Sequence, residues 1–121
     1  MGYSVHITRK KRWADDGGAD ISIEEWAAFI ESDPEMRLQG FAEFVNPKTG
    51  ENIRYENPGL AVWTGHSRDP VVFFDLRQGD VSVDPTDQEV FAKMSMIARH
   101  FKALVMGDEG ELYDGQGRIV G

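Results

Sequence analysis

Apolar and polar positions alternate at the start of the chain, with Tyr3, Val5 and Ile7 on one side and Ser4, His6 and Thr8 on the other. That is the pattern of a strand with one buried face. The period then changes, and Ile23, Trp26, Ala27 and Ile30 recur on one helical face. Ser22 precedes them as a cap with Glu25 as its capping-box partner, and Ile21 and Trp26 have the spacing of a hydrophobic staple. Ser32-Asp33-Pro34 closes the element, because a residue before proline is pushed out of the helical region. The pattern predicts a helix over about 22–32.

Strand-like runs follow. Residues 41–45 and 51–55 flank Asn46-Pro47-Lys48-Thr49-Gly50, which has the composition of a type I turn with a bulge. Asn57-Pro58-Gly59 is a second turn. Residues 60–64 and 71–77 pair around the polar loop 65–70, and 80–83 form a short strand after Gln78-Gly79. Asp84-Pro85-Thr86-Asp87 opens a second helix over about 86–102, capped by Asp84 or by Thr86 with Glu89 as box partner. Val90, Met94, Ile97 and Phe101 make its sheet-facing stripe. Residues 103–106 and 111–113 read as a closing hairpin, with a loose C-terminal tail from about 115. This order predicts one α+β domain over 1–121: an antiparallel sheet of about six to eight short strands, arranged as a meander, packed against two helices.

Composition sets bounds on this picture. A chain of 121 residues, 40% hydrophobic and 28% charged, lies in the range of one folded domain, and one this size buries roughly two thirds of its unfolded surface. Cysteine is absent, which excludes a disulfide scaffold and thiolate zinc. No apolar run approaches the ~20 residues of a membrane span, and the first residues lack the basic and apolar regions of a secretory signal. The expected compartment is the cytoplasm. Net charge is −8, and without the cations of residues 9–12 there remain 9 basic against 21 acidic residues, or −12. Such a field repels phosphate backbones and attracts basic partners.

The candidate chemistry is sparse. His6 on a strand, His66 in a loop and His100 in a helical last turn are the histidines; none has an acid-base partner implied by spacing, and His100 suits the helix dipole. Asp75, Asp80, Asp84 and Asp87 cluster in sequence without the spacing of a calcium loop, and they read as turns and caps. Ser67 lies between His66 and Arg68 outside any nucleophile elbow. Arg9-Lys10-Lys11-Arg12-Trp13 has the make-up of a phosphate grip with a stacking indole, but against the surrounding negative charge it reads as a solvated strand end. No metal site and no cofactor are expected.

The stretches 3–9, 21–26, 32–36, 93–98 and 107–111 resemble a family of small uncharacterised bacterial proteins of unknown function. A looser resemblance is to immunity proteins of bacterial toxin systems, which implies a small acidic inhibitor that blocks one toxin domain. The leading expectation is therefore a protein-binding module without catalytic activity, its acidic surface meeting a basic protein partner through Asp15, Asp16, Asp108, Glu109 and Glu111. The alternative is a small enzyme or ligand-binding protein with a pocket around His6, His66, Asp69 and Asp75. Residues 3–8 are also a candidate exposed edge for pairing with another chain.

Overall fold

The apolar stripes of two helices and one apolar face of a sheet meet in a single core, whose residues run from Val5 to Val105. The computed structural model describes residues 4–13, 18–85 and 87–121. Its elements are β1 (Val5–Thr8), α1 (Ile23–Ser32), β2 (Met36–Leu38), β3 (Phe41–Val45), β4 (Asn52–Glu56), β5 (Leu60–Trp63), β6 (Val72–Arg77), β7 (Asp80–Val83), α2 (Gln88–Phe101) and β8 (Leu104–Gly107). Six strands form one antiparallel sheet in the order β2-β5-β6-β7-β1-β8, while β3 and β4 form a separate two-stranded sheet. The architecture is α+β, as the hydrophobic pattern predicts.

The helix starts follow from their caps. Ser22 accepts the Glu25 N–H at 3.0 Å, and the Glu25 carboxylate accepts the Ser22 N–H at 3.1 Å, completing the capping box. Ile21 and Trp26 are both buried, as the staple requires. The second helix is capped by Asp87 rather than by Asp84 or Thr86; the Asp87 carboxylate accepts the Val90 N–H. Thr86 lies outside the described residues. The reason is spatial, because Asp84 is already engaged by the Ser4 hydroxyl at 2.8 Å.

Three further differences have clear physical causes. First, β1 is an interior strand between β7 and β8, with residues 5–7 paired on both sides and Thr8 on the β8 side, so it is not an edge strand. Second, Met36–Leu38, which carries too few apolar positions to show a period, pairs with β5 as the outer strand β2. Third, the chain end is not loose. The Leu112 N–H donates to the Gly121 carbonyl and the Val120 N–H to the Leu112 carbonyl around a Tyr113–Ile119 bridge, and Met106 bridges Leu112, so the last segment covers the outer side of β8. The expected meander survives only in β5-β6-β7.

The inner sheet face carries Val5, Ile7, Phe74, Val81 and Val83 against the helices. Trp26 anchors it: the ring is fully buried and its Nε1–H donates to the Gly59 carbonyl at 2.9 Å. The β3–β4 hairpin sits on the outer face. A lone hairpin is marginal in water, and this one is held by buried Ala42, by the Tyr55 hydroxyl donating to Asp75 Oδ2 at 2.7 Å, and by the Asn57 amide donating to Asp75 Oδ1 at 2.6 Å. Burial and that hydrogen bond push the Tyr55 phenol up from its ordinary value. Its tip is unpacked, with Phe44 50% and Ile53 49% exposed.

Candidate functional site

Strand register places one transverse row on the outer face: Met106 of β8, His6 of β1, Ser82 of β7, Asp75 of β6 and Leu60 of β5. Three polar side chains thus stand side by side in the middle of a sheet. His6 Nε2 lies 2.8 Å from Asp108 Oδ1, and His6 Nδ1 lies 2.9 Å from Ser82 Oγ. A carboxylate only accepts, so in the neutral ring Nε2 carries the hydrogen and Nδ1 presents its lone pair to the serine hydroxyl. Trp13 stacks on the imidazole at 3.8 Å between centroids and 10° between planes, and its Nε1–H donates to the Asp108 carbonyl at 3.1 Å. The His6 side chain beneath the indole is only 5% exposed, while that of Asp108 is 40% exposed.

Two open clefts meet on this face and share Ser4, Arg77 and Ser82 as lining residues. The larger, of about 1050 Å³, runs from Trp13 and Asp108 past His6 to the β6–β7 turn. The smaller, of about 380 Å³, lies beneath the hairpin with Phe44, Phe73 and Val71 as apolar lining. Asp20, Asp80 and Asp108 line the first, and Asp69, Asp75 and Asp84 the second, against Lys10 and Arg77 of opposite sign. Both cations are already matched: Arg77 Nε lies 3.3 Å from Asp75, and Lys10 Nζ lies 3.4 Å from both Asp20 and Asp80.

The basic run is thus a structural device at its first two residues, not a solvated strand end. Arg9 donates to Glu25 at 2.6 Å and to the Asp20 carbonyl at 2.8 Å, tying the end of β1 to the start of α1. That guanidinium, with the Ser22 N–H, draws the Glu25 carboxyl down to about 2. Lys10 is buried, and its ammonium donates to the Gln78 carbonyl at 2.9 Å. It thereby fastens the β6–β7 turn, where Gln78 and Gly79 both take positive φ as a two-residue hairpin loop demands. Desolvation pushes the buried Asp80 carboxyl up, while Thr8 and Lys10 pull it the other way. Lys11 and Arg12 remain exposed.

His66 belongs to a different assembly, in the loop between β5 and β6 at the N-terminus of α2. Its Nε2 lies 2.8 Å from Asp87, 3.8 Å from Glu89 and 3.9 Å from Asp69. His66, Asp87 and Glu89 have ligand atoms close enough together to surround a cation. The other ring nitrogen argues against that use. Nδ1 accepts the backbone N–H of Arg68 at 3.0 Å and of Asp69 at 2.9 Å, so its lone pair is spent and Nε2 must keep its hydrogen. That hydrogen goes to the Asp87 carboxylate, which His66, Val90 and Arg68 together hold below its usual range despite some desolvation. Ser67 donates its hydroxyl and its N–H to Glu89. The bonds to Asp87 and Glu89 fasten the 65–70 loop to the start of α2, and those to Nδ1 hold the loop's own shape.

Of the residues expected at an acidic interface, Asp15 and Asp16 lie outside the described residues. Asp108 is engaged with His6, while Glu109 and Glu111 are drawn together by the Glu109 N–H donating to the Glu111 carboxylate at 3.1 Å. Of the expected pocket, His6 and Asp75 share the outer-face row and Asp69 lines the smaller cleft, whereas His66 is held in the loop at the α2 cap. His100 is exposed beside Phe29. Sequence reasoning missed Ser82, although one polar residue between Val81 and Val83 marks an outward position on β7. Comparison with protein-family models, curated proteins and solved structures finds no match to this chain. No described helix is long and apolar enough to cross a membrane.

Proposed function

We propose that this protein is a binding module that takes a cationic segment of a basic protein partner in the acid-lined clefts of the outer sheet face. The observation that carries the reading is the lining itself: six aspartates gathered from five separate parts of the chain, with Lys10 and Arg77 already matched. A lysine or arginine side chain has the matching form, since its aliphatic stem can lie on Phe44, Val71 and Phe73 while its charge meets Asp69 or Asp84. The net charge of −8 adds long-range attraction for such a partner. The contact surface moves accordingly, from the tip of the 107–111 turn to the face behind it. An immunity-type inhibitor, with a basic toxin domain as partner, is the specific form of this module that the sequence resemblance suggests.

The direct test is titration with a short lysine- and arginine-containing peptide and with its glutamate-containing counterpart, followed through Trp13 fluorescence at low and high salt. Saturable binding of the basic peptide alone, weakened by salt and by a D69N/D84N double substitution, is the expected result. Equal affinity for both peptides, or binding indifferent to the two aspartates, would refute the assignment.

A further inference from the structure

We infer that Ser82, His6 and Asp108 form a nucleophile, base and orienting carboxylate, giving the cleft an esterase activity on acyl esters small enough to lie along it. The three side chains come from three elements, and the links are 2.9 Å from Ser82 Oγ to His6 Nδ1 and 2.8 Å from His6 Nε2 to Asp108 Oδ1. Asp108 fixes the tautomer in which Nδ1 is free to take the serine proton, the arrangement a base needs. Trp13 stacks on the imidazole face and its indole N–H holds the Asp108 carbonyl, which fixes the ring and its partner in place. Ser82 lines both clefts, so its hydroxyl faces the space in which a ligand would lie. The other histidine–serine neighbourhood lacks these features: Nδ1 of His66 is occupied by two backbone N–H groups, and the Ser67 hydroxyl is given to Glu89.

In the first half-reaction Ser82 Oγ adds to the ester carbonyl carbon as its proton passes to His6 Nδ1. Arg77 lines both clefts but is paired with Asp75 at 3.3 Å, so it must swing out of that pair to meet the tetrahedral oxyanion. The intermediate collapses, the C–O bond to the alcohol breaks, and the alcohol leaves with the proton from Nδ1. Water then adds to the acyl-serine, gives a proton to Nδ1, and the carboxylic acid departs as Ser82 recovers its hydrogen. His6 and Ser82 are the catalytic residues of this scheme, and Asp108 is a positioning residue.

This inference shares its location with the binding reading but requires no basic ligand, so the two can fail separately. The test is intact-mass and peptide mapping of the full-length protein after exposure to a neutral fluorophosphonate and to p-nitrophenyl acetate. The expected results are one phosphonyl adduct on Ser82, no adduct in S82A, and labelling at least 100-fold slower in H6Q, with folding verified by circular dichroism. In D108N the side-chain amide turns a donor toward Nε2, so the imidazole hydrogen moves to Nδ1. Nitrogen NMR should record that tautomer change while labelling falls about 10³–10⁴-fold. A folded wild-type protein that forms no adduct, an adduct elsewhere than Ser82, or an unchanged rate in H6Q would overturn the inference. If basic peptides bind while no adduct forms, the binding reading stands alone.

Discussion

Replacing Lys10 by methionine tests the interior of the structure most sharply, because methionine keeps much of the side chain's apolar length and removes the charge. The Lys10 side chain is 5% exposed and that of its partner Asp80 6% exposed, while Asp80 Oδ1 has no hydrogen-bond partner among the described residues. Removing one member of such a pair strands the other as a buried charge, which costs about 3–5 kcal/mol. The Gln78 carbonyl would also lose its donor. Total stabilities of such domains are about 5–15 kcal/mol, so the K10M variant should remain folded with its urea midpoint lowered by roughly 1–3 M at an ordinary slope. Adding D80N should restore a large part of the loss, because the stranded charge is gone. The pH dependence follows from desolvation, which already pushes Asp80 upward in the wild type. With Lys10 removed the rise is larger, the folded state takes up a proton more readily than the unfolded state, and stability relative to wild type should recover as the pH falls toward about 4. A K10M midpoint within about 1 kcal/mol of wild type, or one whose deficit is the same in K10M/D80N, would refute this account of the turn.

Other consequences are measurable with the same unfolding assay. Substituting S22A removes the cap of α1 and should cost about 1 kcal/mol, with loss of helical ellipticity at the midpoint rather than before it. Because Arg9 draws Glu25 down to about 2, its stabilising effect is complete above about 4.5 and is lost as the pH falls from there through 2; E25Q should remove that part of the acid slope. A Cβ at Gly59 would overlap the Leu76 carbonyl oxygen, so G59A should cost about 1–3 kcal/mol, and a neutral result would show that β6 yields more easily than its packing implies. Calorimetric titration with Zn²⁺ should give no saturable heat that H66Q abolishes, since Nε2 of His66 holds its hydrogen; a 1:1 site lost in H66Q would reverse the tautomer assignment.

The sequence carries local information well and pairing information poorly. The Ser22–Glu25 box, the Ile21–Trp26 staple and the Val90–Phe101 stripe are all written within a few residues, so the helices are legible to within a residue or two at most ends. The insertion of β1 between β7 and β8 is not, because period-2 alternation says which side chains face the core but not which strand lies alongside. The same limit hid the site. His6 was visible as an outward residue of a strand, yet its partners stand 76 and 102 positions away in sequence, and only the register brings them within reach. Net charge was misleading in one respect. Counting Arg9 and Lys10 as surface cations overstates the basic patch, since one is paired to Glu25 and the other is buried under the β6–β7 turn.

The placement of the features that the core does not need is itself informative. Six strands and two helices would close the hydrophobic core without the β3–β4 hairpin or residues 9–13, neither of which contributes a residue to it. Both nevertheless end on the outer sheet face, where the hairpin roofs the smaller cleft and Trp13 borders the larger one. Holding them there uses buried and half-buried polar groups: Asp75 is committed to Tyr55 and Asn57, and Lys10 to Gln78 and Asp80. Burying such groups costs stability unless each is matched, and an apolar outer face covered by the same hairpin would avoid that cost. A face furnished instead with His6, Ser82, Asp75, Asp84 and Asp108, and left open between its two walls, is built to meet something polar. Filling it should therefore separate fold from function: S82V, which puts two methyl groups in place of the hydroxyl on a central strand, should cost no more than about 1–3 kcal/mol and still abolish whatever the cleft does. A large loss of stability in S82V, with binding and labelling intact at low temperature, would assign the polar row to folding instead.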